Sequence, residues 1–264
     1  MANLPVGYPY CGRCHGYITE PVPAMWITGV TAIRVGRAPR GRLLYDSEMN
    51  SAALIIFDID GTLLQTEFVT VPAIQQTFAA FNLPIPDKAT ICAFFGKPVE
   101  DYEAWLANQC DPEKAAEVVA ATNRRELECI SETGKLYPGV RETLVALKNS
   151  GCRLAVCSNG PDAYVDEFLD AHQVRPYFDA VRARGTRYSG KHEMIAGIMA
   201  EIPVTPVVVV GDREDDIDAA HRLGALAVAA GYGFGSPGEL ENADAHVRSA
   251  DELLSTVNKL VCHR

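Results

Sequence analysis

The chain predicts an α/β protein, a doubly wound, Rossmann-like parallel sheet with an α-helical domain inserted after its first strand. Three observations carry this expectation. Short apolar runs alternate with helix-period segments from residue 51 onward. The clearest run, Pro206–Val210, is nearly all valine, as suits a strand buried on both faces. About 70 residues of helical pattern separate the first strand from Tyr137-Pro138-Gly139.

The elements follow in order. Residues 1–50 are rich in Pro, Gly and Arg and carry little helical period, so they read as an N-terminal extension. Within it Met25–Val35 reads as a strand and Arg34–Arg42 as a basic linker. The core is expected over 51–64 and 137–264, and the helical insert over 65–136. The first strand is 52–57. Glu67–Asn82 places Phe68, Val71, Ile74, Phe78 and Phe81 at helical spacing. Val99–Gln109 and Glu113–Ile130 are further helices. Gly139 opens a helix through Val140, Leu144 and Leu147 that stops near Ser150-Gly151. Strands at Arg153–Cys157, Phe178–Val181, Pro206–Val210 and Ala225–Ala229 then alternate with helices at Asp162–His172, Lys191–Ala200, Ile217–Leu223 and Asp251–Leu260.

Composition bounds the function. With 264 residues, 48% hydrophobic and 22% charged, the chain is long enough for a core and a small second domain. A formal net charge of -10 argues against broad nucleic-acid binding but permits a local cationic pocket for an anionic substrate. No apolar run approaches the ~20 residues of a bilayer span, and no secretory layout opens the chain. A cytoplasmic location is expected. The eight cysteines are scattered, as in a reduced compartment. Cys11 and Cys14 resemble one knuckle of a zinc ribbon, but structural zinc needs four ligands. The nearest later cysteine is Cys92, so zinc at Cys11/Cys14 is not favoured.

The chemistry is concentrated at the expected strand ends, where open parallel sheets place their sites. Asp58 and Asp60, at i and i+2 after an apolar strand, point the same way. Two carboxylates side by side at a sheet mouth need a cation or a proton. The second strand ends in Ser158-Asn159-Gly160, and the third is followed by Lys191. The fourth ends in Gly211-Asp212-Arg213-Glu214-Asp215-Asp216. A divalent ion on Asp58 and Asp212, with Lys191 beside it, would neutralise a phosphate. The Ser158 hydroxyl and nearby N–H groups suit its oxygens. Asp58 then suits attack on phosphorus, and Asp60 suits protonation of the leaving oxygen followed by activation of water.

These motifs, Asp58-Ile-Asp60-Gly-Thr-Leu, Ser158-Asn159, Lys191 and Gly211-Asp212 with Asp216, resemble the haloacid dehalogenase superfamily over residues 51–260. The resemblance implies a Mg²⁺-dependent phosphatase acting on a small phosphorylated metabolite through an aspartyl phosphate. Asp58 would be the nucleophile and Asp60 the acid/base, also binding Mg²⁺ through its backbone carbonyl. Asp212 would be a metal ligand, and Asp216 would support the metal directly or through water. Ser158, Asn159 and Lys191 would bind phosphate. The helical insert resembles a C1 cap, and Leu136-Tyr-Pro-Gly-Val140 resembles the phosphoglycolate-phosphatase-like and β-phosphoglucomutase-like branch. Dehalogenating members lack the acid equivalent to Asp60. A sugar-phosphate mutase uses the same acid pair and is the alternative enzyme. A binding or regulatory role through the N-terminal segment is the alternative from another class.

Other residues have plainer readings. Asp215 is a solvated neighbour, and His172, His192 and His221 are ordinary surface or packed histidines. Tyr102 and Trp105, at helical spacing, read as core, and Arg124-Arg125 as a solvated helix face. Lys97, in the turn Phe94–Pro98, divides evenly between a substrate contact and a solvated turn lysine.

Overall fold

The computed structural model describes residues 53–185 and 187–262. The expected Cys11/Cys14 pair, the Met25–Val35 strand and the basic linker lie outside the described residues. The chain enters at β1 (Leu54–Phe57). A 3₁₀ turn at Thr66–Phe68 leads to four helices: α1 (Thr70–Ala80), α2 (Lys88–Cys92), α3 (Val99–Ala107) and α4 (Pro112–Glu132). The rest alternates: α5 (Val140–Asn149), β2 (Arg153–Ser158), α6 (Asp162–Ala171), β3 (Ala180–Ala183), α7 (Lys191–Glu201), β4 (Val207–Gly211) and α8 (Glu214–Arg222). It closes with β5 (Leu226–Ala230), α9 (Pro237–Leu240), β6 (Ala245–Val247) and α10 (Leu253–Cys262).

All six strands are parallel, in the order β3-β2-β1-β4-β5-β6. Side chains alternate across this sheet and both faces are covered, so every residue of β1 and β4 is buried. Ile55, Phe57, Val208 and Val210 join a core with α5, α6 and α10. Leu54, Ile56, Val207 and Val209 join the opposite core with α7 and α8. The order reverses at β1, whose neighbours are β2 and β4, and this switch point is where such sheets open a crevice.

Helices α1 to α4 have a core of their own, built on Ile74, Phe78, Ile91, Phe95, Leu106 and Val118. The chain enters and leaves this helical segment side by side. Gln65 N–H donates to Lys135 O (2.8 Å), Tyr137 N–H to Leu63 O (3.0 Å), and Gln65 Nε2 to Leu136 O (2.8 Å). Phe95 meets Phe234 edge-on at 4.8 Å between centroids, so an aromatic contact also joins the segment to the sheet domain.

Several sequence expectations shift. The helix expected from Glu67 begins at Thr70, because the 3₁₀ turn takes the first residues. Phe68 therefore leaves the apolar stripe and is exposed, with Lys135 Nζ 4.1 Å above its ring. The third strand begins at Ala180 rather than Phe178, which ends the turn Arg175–Tyr177 and packs edge-on against Phe57. Strand β6 and helices α2 and α9 were not expected. Among the described residues no helix is long and apolar enough to cross a membrane.

Candidate active site

Register brings the site together. Phe57 lies opposite Val156 on one side and Val210 on the other. One residue further on, Asp58 N–H donates to Val210 O at 2.9 Å. Asp58 is thereby fixed beside the ends of β2 and β4, which carry Ser158 and Gly211-Asp212. Gly61 turns the chain away at φ +77°, where side chains are disfavoured. A Cβ there would lie 2.1 Å from Asp212 Oδ2, so the turn and the fourth motif are packed without room for a methyl group.

Lys191, at the first turn of α7, is fully buried. Its Nζ lies 2.7 Å from Asp58 Oδ1 and 2.5 Å from Asp216 Oδ1. Burial alone would strip its proton, but Asp216 and Asp58 outweigh burial and raise its pKa well above the ordinary value. The carboxylates respond the other way. Burial lifts Asp58 to about 6 and Asp216 to about 7 against the opposing pull of Lys191. Burial and then the charge of Asp58 push Asp212 well up. One ammonium faces three carboxylates, so full ionisation leaves two negative charges uncompensated.

The residues fit a divalent cation. One carboxylate oxygen each of Asp58, Asp212 and Asp216 lie within 4.8 Å of one another. Asp58 Oδ2 and Asp212 Oδ1 are buried with no hydrogen-bond partner among the described residues. Orphaned buried carboxylate oxygens are costly, and a hard cation accepts such oxygens. The other Asp212 oxygen accepts from Phe234 N–H at 2.6 Å, which fixes the orientation of that carboxylate.

Asp60, two residues beyond Asp58, lines a cavity of about 280 Å³. Its Oδ1 accepts from Tyr164 Oη (2.7 Å) and Thr66 Oγ1 (2.8 Å). Burial nevertheless raises its pKa, with both hydroxyls opposing the rise. The cavity lies between the helical segment and α6. Its walls include Phe94, Phe95, Tyr102 and Leu127, with Glu126 and Tyr164 among its polar groups.

A family model for haloacid dehalogenase-like hydrolases matches residues 55–230. The chain belongs to this family. It is 28% identical over 214 residues to a phosphoglycolate phosphatase of Vibrio cholerae, covering 77% of this chain and 95% of the relative. It is 31% identical over 191 residues to the phosphoglycolate phosphatase of Pseudomonas savastanoi, covering 69% and 70%. The structure of a predicted phosphatase from Clostridium acetobutylicum matches with a TM-score of 0.68 at 26% identity, over 79% of this chain and 99% of that one. The chain is thus a phosphatase-type enzyme of the haloacid dehalogenase-like family, with phosphoglycolate phosphatases among its relatives.

Within this family fold, Asp58, Lys191, Asp212 and Asp216 meet in one buried cluster. Ser158 Oγ, at the end of β2, accepts from Gly160 N–H at 3.1 Å, which leaves its own proton to give. Asn159 is placed differently. Its Nδ2 donates to Gly96 O (3.0 Å) and Asp215 Oδ2 (3.1 Å), so it ties the sheet domain to the Phe94–Pro98 turn. Asp215, read as a solvated neighbour, is the exposed acceptor of that bond. Lys97 is exposed, with Nζ 5.2 Å from the Phe94 ring centroid. Tyr102, read as core, lines the cavity. Sequence reasoning missed Tyr164, Thr66 and Glu126. For Glu126 a signal existed: Val118, Thr122, Glu126 and Ile130 recur every four residues on the buried face of α4.

Proposed function

We propose that this enzyme is a Mg²⁺-dependent phosphomonoesterase working through an aspartyl phosphate. The observation that carries the reading is the buried set of three carboxylates and one ammonium, with Asp60 beside it at the wall of a cavity. In this reading Asp58, Asp212 and the Asp60 carbonyl hold Mg²⁺, and Asp216 supports it. When bound, Mg²⁺ supplies charge neutralisation for the phosphoryl oxygens.

The chain's own residues do the rest. A carboxylate oxygen of Asp58 attacks phosphorus, and the ester P–O bond breaks. Asp60 gives its proton to the departing oxygen, so the alcohol leaves neutral. The two hydroxyls on Oδ1 leave Oδ2 to carry that proton. Asp60, now ionised, takes a proton from water, which attacks the aspartyl phosphate and releases inorganic phosphate. Lys191, the Ser158 hydroxyl and backbone N–H groups hold the phosphoryl oxygens. The helical segment 65–136 acts as a cap over the leaving group, joined to the core by the paired connections at Leu63–Gln65 and Lys135–Tyr137. Cys92, Cys110, Cys129, Cys152 and Cys157, which form no disulfide, fit a reduced, cytoplasmic setting.

The test is phosphate release from a panel of small phosphomonoesters with Mg²⁺, with Asp58→Asn alongside. Turnover should fall on the order of 10³-fold or more in the variant, the scale of losing a nucleophile. Ordinary rates in Asp58→Asn, with the fold intact by circular dichroism, would remove the assignment.

A further inference from the structure

The cap side of the cavity has a chemistry of its own. Glu126 projects from the middle of α4 and is only 7% exposed. Thr70 Oγ1 donates to its Oε1 at 2.6 Å. A carboxylate offers about four acceptor sites, and one hydroxyl fills one of them. The Tyr102 hydroxyl is buried on the same wall and stands against the Glu126 carboxylate, close enough to lower its pKa, though without a hydrogen bond of regular geometry. Both residues line the cavity that Asp60 lines, and the remaining lining includes Phe94, Phe95, Val99 and Leu127. The one cation among the described lining residues is Lys97, which is exposed and held over the Phe94 ring.

Resting on the phosphatase reading above, we propose that this cavity selects an uncharged, hydroxyl-bearing leaving group, with Glu126 as the acceptor that determines specificity. The substrate class is then a polyol or sugar phosphate rather than a phosphate ester with a carboxylate tail. The argument is one of complementarity. A carboxylate tail in this cavity would face a buried carboxyl group, and it would have no buried cation to pair with. A substrate hydroxyl donates to an acceptor site of Glu126 that Thr70 and Tyr102 leave open. Sites built to hydrogen-bond a hydroxyl discriminate strongly against analogues without it, because their buried polar groups are then left unpaired. The apolar walls suit the carbon faces of such a chain or ring. A carboxylate tail has no proton to donate, so it leaves the open acceptor sites of Glu126 unmatched.

The experiment compares kcat/KM for three esters: ribose 5-phosphate or glycerol 3-phosphate, 2-phosphoglycolate, and phenyl phosphate. It uses wild type, Glu126→Leu and Tyr102→Phe, with Mg²⁺. Wild type should favour a polyol phosphate over 2-phosphoglycolate by at least about ten-fold. Glu126→Leu should cut the polyol value by about 10- to 100-fold and leave 2-phosphoglycolate unchanged or faster. Tyr102→Phe, a milder change that keeps the ring, should lower the polyol value selectively. A wild-type preference for 2-phosphoglycolate overturns the proposal, as does an equal loss on all three esters in both variants. Phosphate release from none of the esters, phenyl phosphate included, overturns the phosphatase reading itself and this inference with it.

Discussion

At the scale of the residue, the molecule is governed by buried acids. Glu126 gives the cleanest measurement, since it is not bonded to the metal cluster. Burial raises its pKa from 4.5 to about 7, against the opposing pull of the Thr70 and Tyr102 hydroxyls. A carboxyl with a raised folded-state pKa binds its proton more tightly when folded. It costs nothing below pH 4.5, where both states are protonated. As pH rises from 4.5 to 7, the unfolded chain ionises first, and stability falls by about 1.4 kcal/mol per pH unit. Glu126→Gln keeps the acceptor for Thr70 and removes this cost. The variant should match wild type near pH 4.5 and exceed it by roughly 3 kcal/mol at pH 8. Urea denaturation at both pH values checks this, and an equal pH dependence in the two proteins refutes it.

Gly61 gives a second prediction at the same scale. Gly61→Ala places a methyl group 2.1 Å from Asp212 Oδ2, at a backbone conformation that costs a non-glycine residue about 1–2 kcal/mol. The melting temperature should fall, and turnover should fall further, because Asp212 must move. A variant with wild-type kcat would mean that the turn relaxes without disturbing the acid.

At the scale of the element, α6 does more than cover the sheet. It carries Val165, Phe168 and Leu169 into the core and Tyr164 onto Asp60 from its first turn. Tyr164→Phe keeps the ring and removes one of two donors to Asp60 Oδ1. Hydrogen bonds to charged groups are worth about 1.5–3 kcal/mol, so kcat should fall at least ~10-fold with KM little changed. Stopped-time phosphate assays on any accepted ester read this split, and an unaltered kcat would make Tyr164 a packing residue only. Legibility in the sequence follows the same division. Elements with long apolar runs or strong period, such as β1, β4 and α4, were readable because burial on a sheet or stripe imposes a pattern. Strand β6 has three residues with His246 exposed, and α2 has five residues, so neither is long enough to show a period. The motif residues were readable because they sit at strand ends, where position implies direction. Asp60's partners were not, since Thr66 lies in a 3₁₀ turn and Tyr164 reads as one more aromatic on an amphipathic helix. Glu126 was hidden by its neighbours: in Arg124-Arg125-Glu126-Leu127-Glu128 it looks like part of a charged surface.

At the scale of the whole molecule, a chain of net charge -10 folds around a cluster whose one ammonium cannot neutralise three carboxylates. The sheet cannot relax to separate them, because Asp58, Asp212 and Lys191 are fixed by parallel register and by the start of α7. The folded state therefore has a use for a divalent cation that the unfolded chain lacks. A ligand that binds only the folded state stabilises it by about 2.7 kcal/mol at a hundred times its Kd. For a protein of this size that is a rise in Tm of roughly 5–10 °C. Mg²⁺ should produce such a rise in wild type, and a chelator should reverse it. Asp212→Asn keeps the acceptor for Phe234 N–H but removes one negative charge, so its Tm without Mg²⁺ should be equal to or higher than that of wild type. Its response to added Mg²⁺ should be largely lost. This opposite pair of effects separates a metal site from simple packing, since a packing residue would lower Tm with or without the ion. A thermal scan of both proteins, with Mg²⁺ and with chelator, decides it: parallel responses in the two would show that Asp212 takes no part in holding the cation.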